Sequence, residues 1–382
     1  MKLFPEKKRS DYMEWAKLSS PARYNLATSG LMNVILAEFP LEAGDLEITG
    51  GGYGYRPLLE RIAQHTGAPI DCIVTAEGTS MANHLTLAAL LEPRDEVLIE
   101  RPTYGLLLDV LNYLGARIRR VERRLDQGFA ISLGEIEAAI TPATRLVVLS
   151  NLHNPTGALI PVETLRAIGE RAARVGAHVL VDEVYLEMLS VCESQTCGSR
   201  SLRSGILPHA PNRRAFSLGE NFVITSSLTK AYGLSGLRCG WILAAPELAE
   251  RMWRLNDLFA ATAAHPAERI SVMAFDHLDQ FCDRARNLLT TNRALLDSFL
   301  DSRDDLECFR PPAGSIVFPR LAPGIDPEKV FQRLREKYET SVVPGRFFEM
   351  PQHFRIGIGG PSAELREGLE RLGAALDDFM KG

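Results

Sequence analysis

Lys230 and Arg238 stand in a segment rich in glycine and serine, residues 226–241. The segment follows an apolar run, residues 222–224, which is typical of a buried strand, so we expect a flexible loop at the end of that strand. A lysine held among small residues and out of water is less favoured in its charged form, which leaves more of the nucleophilic free amine. Arg238 could bind an anion beside it. Because a single lysine or arginine is more often a solvated surface residue, the prediction depends on what else meets this loop.

The composition indicates an ordinary globular protein. The chain has 382 residues, of which 46% are hydrophobic and 24% charged, enough to bury a large core in two domains or in one domain with a smaller lobe. A net charge of -5 is small for this length. We therefore expect neither nucleic acid nor an anionic membrane surface as a partner.

Cysteine usage and the N-terminus favour the cytoplasm. The first ten residues are charged where a signal peptide needs an apolar core, and no apolar run approaches the length of a bilayer. The cysteines show no close pair at metal-ligand spacing, so we expect reduced thiols and no metal site. The six cysteines are Cys72, Cys192, Cys197, Cys239, Cys282 and Cys308.

Strand and helix patterns alternate from residue 72 to residue 241. Short apolar runs predict strands, and the segments between them have the apolar spacing of helices. This alternation predicts an α/β fold in which helices cover both faces of a mostly parallel sheet. The predicted strands are 73–75, 97–99, 117–121, 146–149, 178–181 and 222–224, and the helices between them are 81–91, one from near Tyr104, 132–140 and 164–175.

The remaining segments have a different pattern. Amphipathic helices mixed with short strands follow the alternating region, and this change predicts a second, smaller lobe. A polar stretch rich in serine, arginine and proline, residues 190–220, predicts a long surface loop. Further helices are predicted at 11–18, 58–65 and from Pro246 to about Ala260, and further strands at 314–319 and 353–358.

Chemically useful side chains follow the predicted strands at their carboxyl ends, where open parallel sheets bind ligands. Gly78, Thr79 and Ser80 follow the first strand at a helix start, where free backbone amides and two hydroxyls could hold a phosphate. Plain N-capping by a hydroxyl explains the same residues equally well. Tyr104 follows the next strand and could either stack on a flat ring or cover the edge of the sheet.

Two later strands end in an amide and a carboxylate. Asn154 lies in a rigid turn after strand 146–149, and Asp182 and Tyr185 come directly after strand 178–181. A carboxylate behind four apolar residues is costly to bury unless a positive group pairs with it, although Asp182 could instead cap a helix. Together with Lys230, these groups match what pyridoxal phosphate requires: an amine, a carboxylate at the ring nitrogen, donors to the phenolic oxygen and an anion site.

From about residue 49 to residue 360 the sequence resembles the class I and II aminotransferases, the aspartate aminotransferase family of fold type I pyridoxal phosphate enzymes. The resemblance is carried by residues 154–157 (NPTG), 182–185 (DEVY) and 227–230 (SLTK), with Arg238 and Arg355. It implies a seven-stranded, mostly parallel sheet in a large cofactor-binding domain and a smaller α+β domain that closes over the site. The expected boundaries are 45–260 for the large domain and 1–44 with 261–382 for the small one.

The resemblance also implies a role for each matching residue. Lys230 would form the Schiff base with pyridoxal 5'-phosphate and then move the substrate proton, and Asp182 would pair with the ring nitrogen. Asn154 and Tyr185 would contact the phenolic oxygen. Arg355 would bind the substrate carboxylate, together with Asn154 and the segment at Gly30. The remaining expected cofactor contacts are Tyr104, stacked on the ring, and a phosphate-binding group, Gly78, Thr79, Ser80, Ser227 and Arg238.

One position departs from the family pattern. Relatives carry a tyrosine that reaches the phosphate of the neighbouring subunit, and Thr49 stands at that place. Tyr53 or Tyr55 could substitute for it. The resemblance implies a homodimer, because the family builds each site at a subunit boundary.

Three kinds of function are open at this point. The leading hypothesis is an aminotransferase that moves an amino group between an L-amino acid and a 2-oxo acid. The same cofactor site also serves carbon-sulfur beta-lyases and cyclising amino-acid synthases. A non-catalytic ligand sensor is a third class, but we expect no DNA-binding segment ahead of the aminotransferase-like region. A dicarboxylate substrate would need a second cation, for which Arg23 and Arg346 are candidates.

Overall fold

The computed structural model describes residues 8–39, 41–42, 44, 52–189 and 215–380. Thr49 and the cysteines Cys192 and Cys197 lie outside these ranges. Most of the predicted surface loop, residues 190–214, also lies outside them.

Within the described residues, seven strands form the central sheet in the order β2-β8-β7-β6-β5-β3-β4. Neighbouring strands from β7 to β4 run parallel, whereas β8 is antiparallel to both β2 and β7. The predicted mostly parallel sheet is therefore confirmed. Its strands are β2 (Ile73–Glu77), β3 (Glu96–Arg101), β4 (Arg117–Glu122), β5 (Thr144–Ser150), β6 (His178–Asp182), β7 (Phe222–Ser227) and β8 (Cys239–Leu243).

Helices cover both faces of this sheet. Alternate residues of a strand point to opposite faces. In β5, Leu146 and Val148 pack with the apolar side chains of α3, α4 and α7, whereas Val147 and Leu149 pack with those of α2, α5 and α6. The helices around the sheet are α2 (Arg56–Thr66), α3 (Gly78–Leu90), α4 (Gly105–Tyr113), α5 (Leu133–Ala139), α6 (Val162–Ala173), α7 (Pro246–Asn256) and α8 (His265–Asp276).

The remaining elements join the two ends of the chain. Strand β1 pairs in parallel with β12, and β14 lies between β10 and β13 in an antiparallel sheet. The division into domains at residues 44/45 and 260/261 stays a prediction. These elements are α1 (Asp11–Leu18), α9 (Leu278–Asp301), α10 (Pro327–Tyr338), α11 (Ser362–Met380), β1 (Tyr24–Asn25), β9 (Leu306–Glu307), β10 (Ile316–Val317), β11 (Arg320–Leu321), β12 (Thr340–Ser341), β13 (Val343–Pro344) and β14 (Phe354–Gly357).

One local prediction from the sequence was wrong, and one alternative that the sequence left open is excluded. Residues 239–241 belong to strand β8 and not to a loop, because the segment pairs with β2 on one side and β7 on the other. Helix α3 begins at Gly78 with Glu77 at the N-cap and no side-chain cap. Thr79 and Ser80 therefore lie inside the first turn, and capping does not account for their hydroxyls.

In the described part of the chain, no helix is both long enough and apolar enough to cross a bilayer. The cysteines described there, Cys72, Cys239, Cys282 and Cys308, are free thiols.

Candidate active site

A cavity of about 180 Å³ lies at the carboxyl ends of β5, β6 and β7, beside the first turn of α3. It brings together side chains that are far apart in the sequence. Arg355 reaches it through Asn154, while Ser227, Gly78 and Gly30 lie directly behind its wall. The predicted site residues that line it are Thr79, Ser80, Tyr104, Asn154, Asp182, Tyr185, Lys230 and Arg238.

Lys230 is held on the segment after β7 by contacts from the N-terminal part of the chain. Its Nζ donates to Ser29 Oγ at 2.8 Å, and its backbone carbonyl accepts from Leu31 N at 3.1 Å. A Cβ on Gly30 would lie 3.3 Å from Lys230 Cδ, so a small residue lets this segment approach the lysine closely. Burial, together with the charges of Arg355 and Arg238, lowers the pKa of Lys230 to about 8, while the charge of Asp182 acts in the opposite direction. The amine is therefore partly unprotonated near neutral pH.

Asp182 ends strand β6 and is fixed by neutral donors. Its Oδ2 accepts from Asn83 Nδ2 at 2.9 Å and its Oδ1 from Val184 N at 3.1 Å. Asn83 is oriented in turn, because its Oδ1 accepts from Thr225 Oγ1 at 2.6 Å. Burial raises the pKa of Asp182 to about 6, against the two hydrogen bonds and the charge of Lys230. This carboxyl titrates near neutral pH and stabilises a positive group placed beside it.

The first turn of α3 and Arg238 form a cradle for an anion. Gly78 N donates to Arg238 O at 2.7 Å, and Arg238 Nη2 donates to Glu77 O at 3.1 Å. A Cβ on Gly78 would lie 2.4 Å from Arg238 Nη2, so only glycine leaves room for the guanidinium there. The hydroxyl of Thr79 donates to Ser227 Oγ at 2.8 Å. A cation, hydroxyls and a helix N-terminus at one point suit a phosphate group.

Arg355, on β14, closes the other side of the cavity. It is 1% exposed, and its Nη1 donates to Asn154 Oδ1 at 2.9 Å while its Nη2 donates to the Tyr12 hydroxyl at 3.0 Å. The guanidinium also lies over the Phe348 ring, 5.1 Å from its centroid. These contacts are with neutral groups, so they leave the buried charge of Arg355 available for an anionic ligand.

Two tyrosines complete the walls. Tyr104 stands at the N-cap of α4, and its ring meets Tyr12 edge-on with the centroids 5.6 Å apart. Tyr185 is buried directly behind Asp182, and burial raises the pKa of its phenol to about 12. Both phenols therefore stay protonated at neutral pH and can donate hydrogen bonds.

Among the cavity residues that sequence reasoning missed, Ser29, Asn83 and Tyr12 make hydrogen bonds to predicted site residues. A signal existed only for Asn83, which lies one helical turn after Thr79 and so faces the same way. Ser29 and Tyr12 come from the N-terminal part of the chain and meet their partners across 201 and 343 residues of sequence. No local pattern encodes a contact of that range.

The candidates for a second cation do not line the cavity. Arg23 is exposed and pairs with Glu339 at 3.5 Å, and Arg346 pairs with Glu328 at 2.6 Å. Of the two candidates for the cross-subunit contact, Tyr53 donates to Asp257 at 2.9 Å and Tyr55 packs edge-on against His265. The contact with a neighbouring subunit stays a prediction.

The sheet, its helices and the cluster of amine, carboxylate and anion cradle define a pyridoxal phosphate enzyme of fold type I. Residues 17–372 match the model of the family described as aminotransferase class I and II, and the chain belongs to that family. It is a pyridoxal-phosphate-dependent aminotransferase by this membership, so the predicted fold, family and cofactor are confirmed.

Individual relatives are similar over almost the whole chain. Capreomycidine synthase of Streptomyces vinaceus is 27% identical over 373 residues, 94% of this chain and 92% of that protein. A PLP-dependent aminotransferase from Streptococcus suis 89-1591 has a crystal structure with a TM-score of 0.85 and 26% identity, covering 98% of this chain and 99% of that one. The structure of the PLP-dependent cyclase OrfR gives a TM-score of 0.84 and 25% identity, covering 99% and 100%.

Asn83→Ala tests how Asp182 is tuned. Removing a donor to a buried carboxylate costs about 1.5–3 kcal/mol, which raises the pKa of Asp182 by about 1–2 units. Because the ionised carboxylate is lost as pH falls through that pKa, a higher pKa moves the loss to higher pH. We expect the affinity of the cofactor-free protein for pyridoxal phosphate to decline at a correspondingly higher pH, measured by titration at several pH values.

Thr86→Val is the matched control for this substitution. Thr86 is also a fully buried residue of α3, but it does not line the cavity. The control should leave the pH dependence of cofactor affinity unchanged. An identical pH dependence for the two variants would contradict the role given to Asn83.

Proposed function

We propose that this chain transfers an amino group between an L-amino acid and a 2-oxo acid, with Lys230 as the catalytic amine. The observation that supports this most directly is that Lys230 and Asp182 face one cavity between an anion cradle and the buried Arg355. Pyridoxal phosphate supplies an aldehyde for the amine and a ring that withdraws electrons from the substrate. The rest of the chemistry belongs to the residues of the chain.

Lys230 has the properties of a proton carrier. A general base works best when its pKa lies near the working pH, and the pKa of Lys230 is lowered to about 8. Its hydrogen bond to Ser29 Oγ holds Nζ at one point of the cavity wall. From there Nζ would take the proton from the alpha carbon of the substrate and deliver it to carbon C4' of the cofactor.

Asp182 and the anion cradle fix the cofactor at its two ends. A carboxylate beneath the ring nitrogen stabilises the protonated ring, and Asn83 and Val184 N favour the ionised carboxylate that this requires. The cradle formed by Thr79, Ser227 and Arg238 receives the phosphate. We assign the phenolic oxygen to Asn154 and Tyr185, and the face of the ring to Tyr104.

Arg355 selects substrates with a carboxylate. Its planar fork of donors matches a carboxylate group in two-pronged geometry. Asn154 and Tyr12 hold the guanidinium from two sides, so its direction is set before a ligand arrives. The segment at Gly30 covers Lys230 and would meet the same substrate from the opposite wall.

A homodimer in the cytoplasm completes the proposal. Family membership supports a dimer, and Leu258 and Phe259 are exposed to 77% and 51%, as expected of a surface that a second subunit covers. The four described cysteines are free thiols, which supports a reducing compartment such as the cytoplasm. We also keep the domain boundaries stated for the sequence, 45–260 against 1–44 with 261–382.

A half-reaction distinguishes transamination from the other chemistries of this cofactor. Single amino acids are added to the purified holoenzyme and the cofactor spectrum is followed. Conversion of the cofactor to its amine form, with release of the matching 2-oxo acid, is expected. Because one relative is named a synthase and one similar structure a cyclase, reaction products are also identified. Release of ammonia and pyruvate would contradict the proposal and indicate a lyase. A cyclised amino acid without an oxo acid would contradict it and indicate a cyclase.

The lowered pKa of Lys230 predicts how fast cofactor-free protein captures pyridoxal phosphate. Only the neutral amine reacts, so the capture rate should rise with pH and level off above about 8. The rate is measured from the absorbance change after mixing, with Lys230→Ala as the control that shows no capture at this site. A rate that still climbs near pH 10, as for an ordinary lysine, would be inconsistent with the buried environment.

Arg355→Lys tests whether Arg355 binds the carboxylate of the substrate. Lysine keeps the charge but loses the two-pronged contact, at a cost of about 1.5–3 kcal/mol. We expect the KM for the amino acid to rise about 10-fold to 100-fold, measured by steady-state kinetics. Arg346→Lys, on an exposed pair with Glu328, is the control and should leave KM unchanged. Equal KM values for the two variants would argue against the assignment of Arg355.

A further inference from the structure

A buried ion pair lies beneath the cavity, outside the groups used so far. Glu100 is the second-last residue of β3, at the carboxyl end of the strand. Its Oε2 lies 2.7 Å from Arg123 Nη2. Both residues are 1% exposed, although charged groups are costly to bury. Arg123 is held by a second contact, from its Nη1 to Phe129 O at 3.1 Å. The pair is thus fixed in the floor of the site.

The other oxygen of Glu100 holds the end of strand β5. Glu100 Oε1 accepts from both Ser150 N and Ser150 Oγ, each at 2.7 Å. Since the hydroxyl gives its only proton to Glu100, its oxygen is free to accept, and Asn154 N donates to it at 3.1 Å. One hydroxyl therefore ties the turn that carries Asn154 to Glu100.

The same chain of contacts sets which way the Asn154 amide points. Arg355 has donors only, so the atom of Asn154 that meets Arg355 Nη1 at 2.9 Å is the oxygen. The NH2 group of Asn154 then faces away from Arg355. A displacement of Asn154 would move both this donor and the guanidinium of Arg355.

His153 beside this network is uncharged. Its Nε2 lies 3.0 Å from Pro102 O and must donate there, and Nδ1 accepts from Thr156 Oγ1 at 2.6 Å. Burial, with the nearby charge of Arg123, lowers the pKa of His153 well below its usual value. His153 therefore adds no charge, and besides Arg123 the carboxylate of Glu100 faces Asp182, whose pKa it raises, and the guanidinium of Arg120.

We propose that Glu100 is a positioning residue that acts through Ser150 to place Asn154 and Arg355. This inference rests on the proposed function, in which Asn154 meets the phenolic oxygen of the cofactor and Arg355 the substrate carboxylate. The inference predicts two effects at once. Breaking the hydrogen bonds from Glu100 through Ser150 to Asn154 should change both the environment of the cofactor and the affinity for the substrate, although Glu100 contacts neither.

Ser150→Ala breaks the link at its midpoint. It keeps Ser150 N as a donor to Glu100 and leaves the ion pair intact, so it disturbs the buried charges less than a substitution of Glu100 or Arg123 alone. We expect the KM for the amino acid to rise about tenfold and the pH midpoint of the absorbance change of the bound cofactor to shift. Ser226→Ala is the matched control, a buried serine at the end of β7 whose Oγ contacts Glu183 O at 3.5 Å. It should leave both values as in the wild type.

Two double variants test the part played by Glu100 itself. Glu100→Gln with Arg123→Met removes both charges but keeps an acceptor for Ser150, so its KM for the amino acid should stay near the wild-type value. Glu100→Leu with Arg123→Met removes the same charges and the acceptor, so its KM should rise as that of Ser150→Ala does. Because both double variants lose the charge that raises the pKa of Asp182, their pH midpoints are compared only with each other. Cofactor content and the midpoint of urea unfolding are measured for each protein, and if a double variant does not fold, Ser150→Ala decides alone.

The outcomes separate this inference from the proposed function. A wild-type holoenzyme whose spectrum does not respond to any amino acid would refute the proposed function. If the wild type responds but Ser150→Ala has the same KM and pH midpoint as Ser226→Ala, the positioning role alone is refuted. A rise in KM in Ser150→Ala and in the leucine double variant, without one in the glutamine double variant, supports it.

Discussion

The site depends on one constraint: the amine of Lys230 and the carboxyl of Asp182 are both buried away from water at the same edge of the sheet. Burial moves the pKa of Lys230 down to about 8 and that of Asp182 up to about 6, and each charge opposes the shift of the other. Because β6 and β7 are neighbouring parallel strands, their carboxyl ends deliver both groups to the same point. Neutral partners such as Asn83 and Ser29 orient them without cancelling either charge.

The other cations lie on opposite sides of this pair. Arg238 is packed against Gly78 at the start of α3, whereas Arg355 comes from β14 and is reached through Asn154. Both residues are cations, so charge alone would not orient a ligand. Under the proposed function, the hydroxyls and the helix N-terminus beside Arg238 favour the phosphate, and the two-pronged fork of Arg355 favours the substrate carboxylate. This difference would keep the cofactor and the substrate at their own ends of the cavity.

Local pattern predicted the residues that follow the parallel strands, because strand ends and apolar runs are encoded within a few residues. Lys230, Asp182 and Asn154 were found in this way and do line one cavity. Strand β8 was missed because Gly240 looks like a loop residue. Its glycine is required by the fold, since a Cβ there would lie 2.5 Å from the backbone of Gly78. Such an approach between distant segments leaves no periodic signal.

The partners contributed by the N-terminal part of the chain also leave no local signal in the sequence. The family match begins at residue 17, whereas Tyr12 of α1 already bonds Arg355. Helix α1 lines the cavity with Tyr12, Met13 and Ala16, which are uncharged. Arg355 lies within the match, whereas the residues of α1 that line the cavity beside it precede the match. Under the proposed function Arg355 holds the substrate carboxylate, so we expect the uncharged wall formed by α1 to meet the part of the substrate that differs from one amino acid to another.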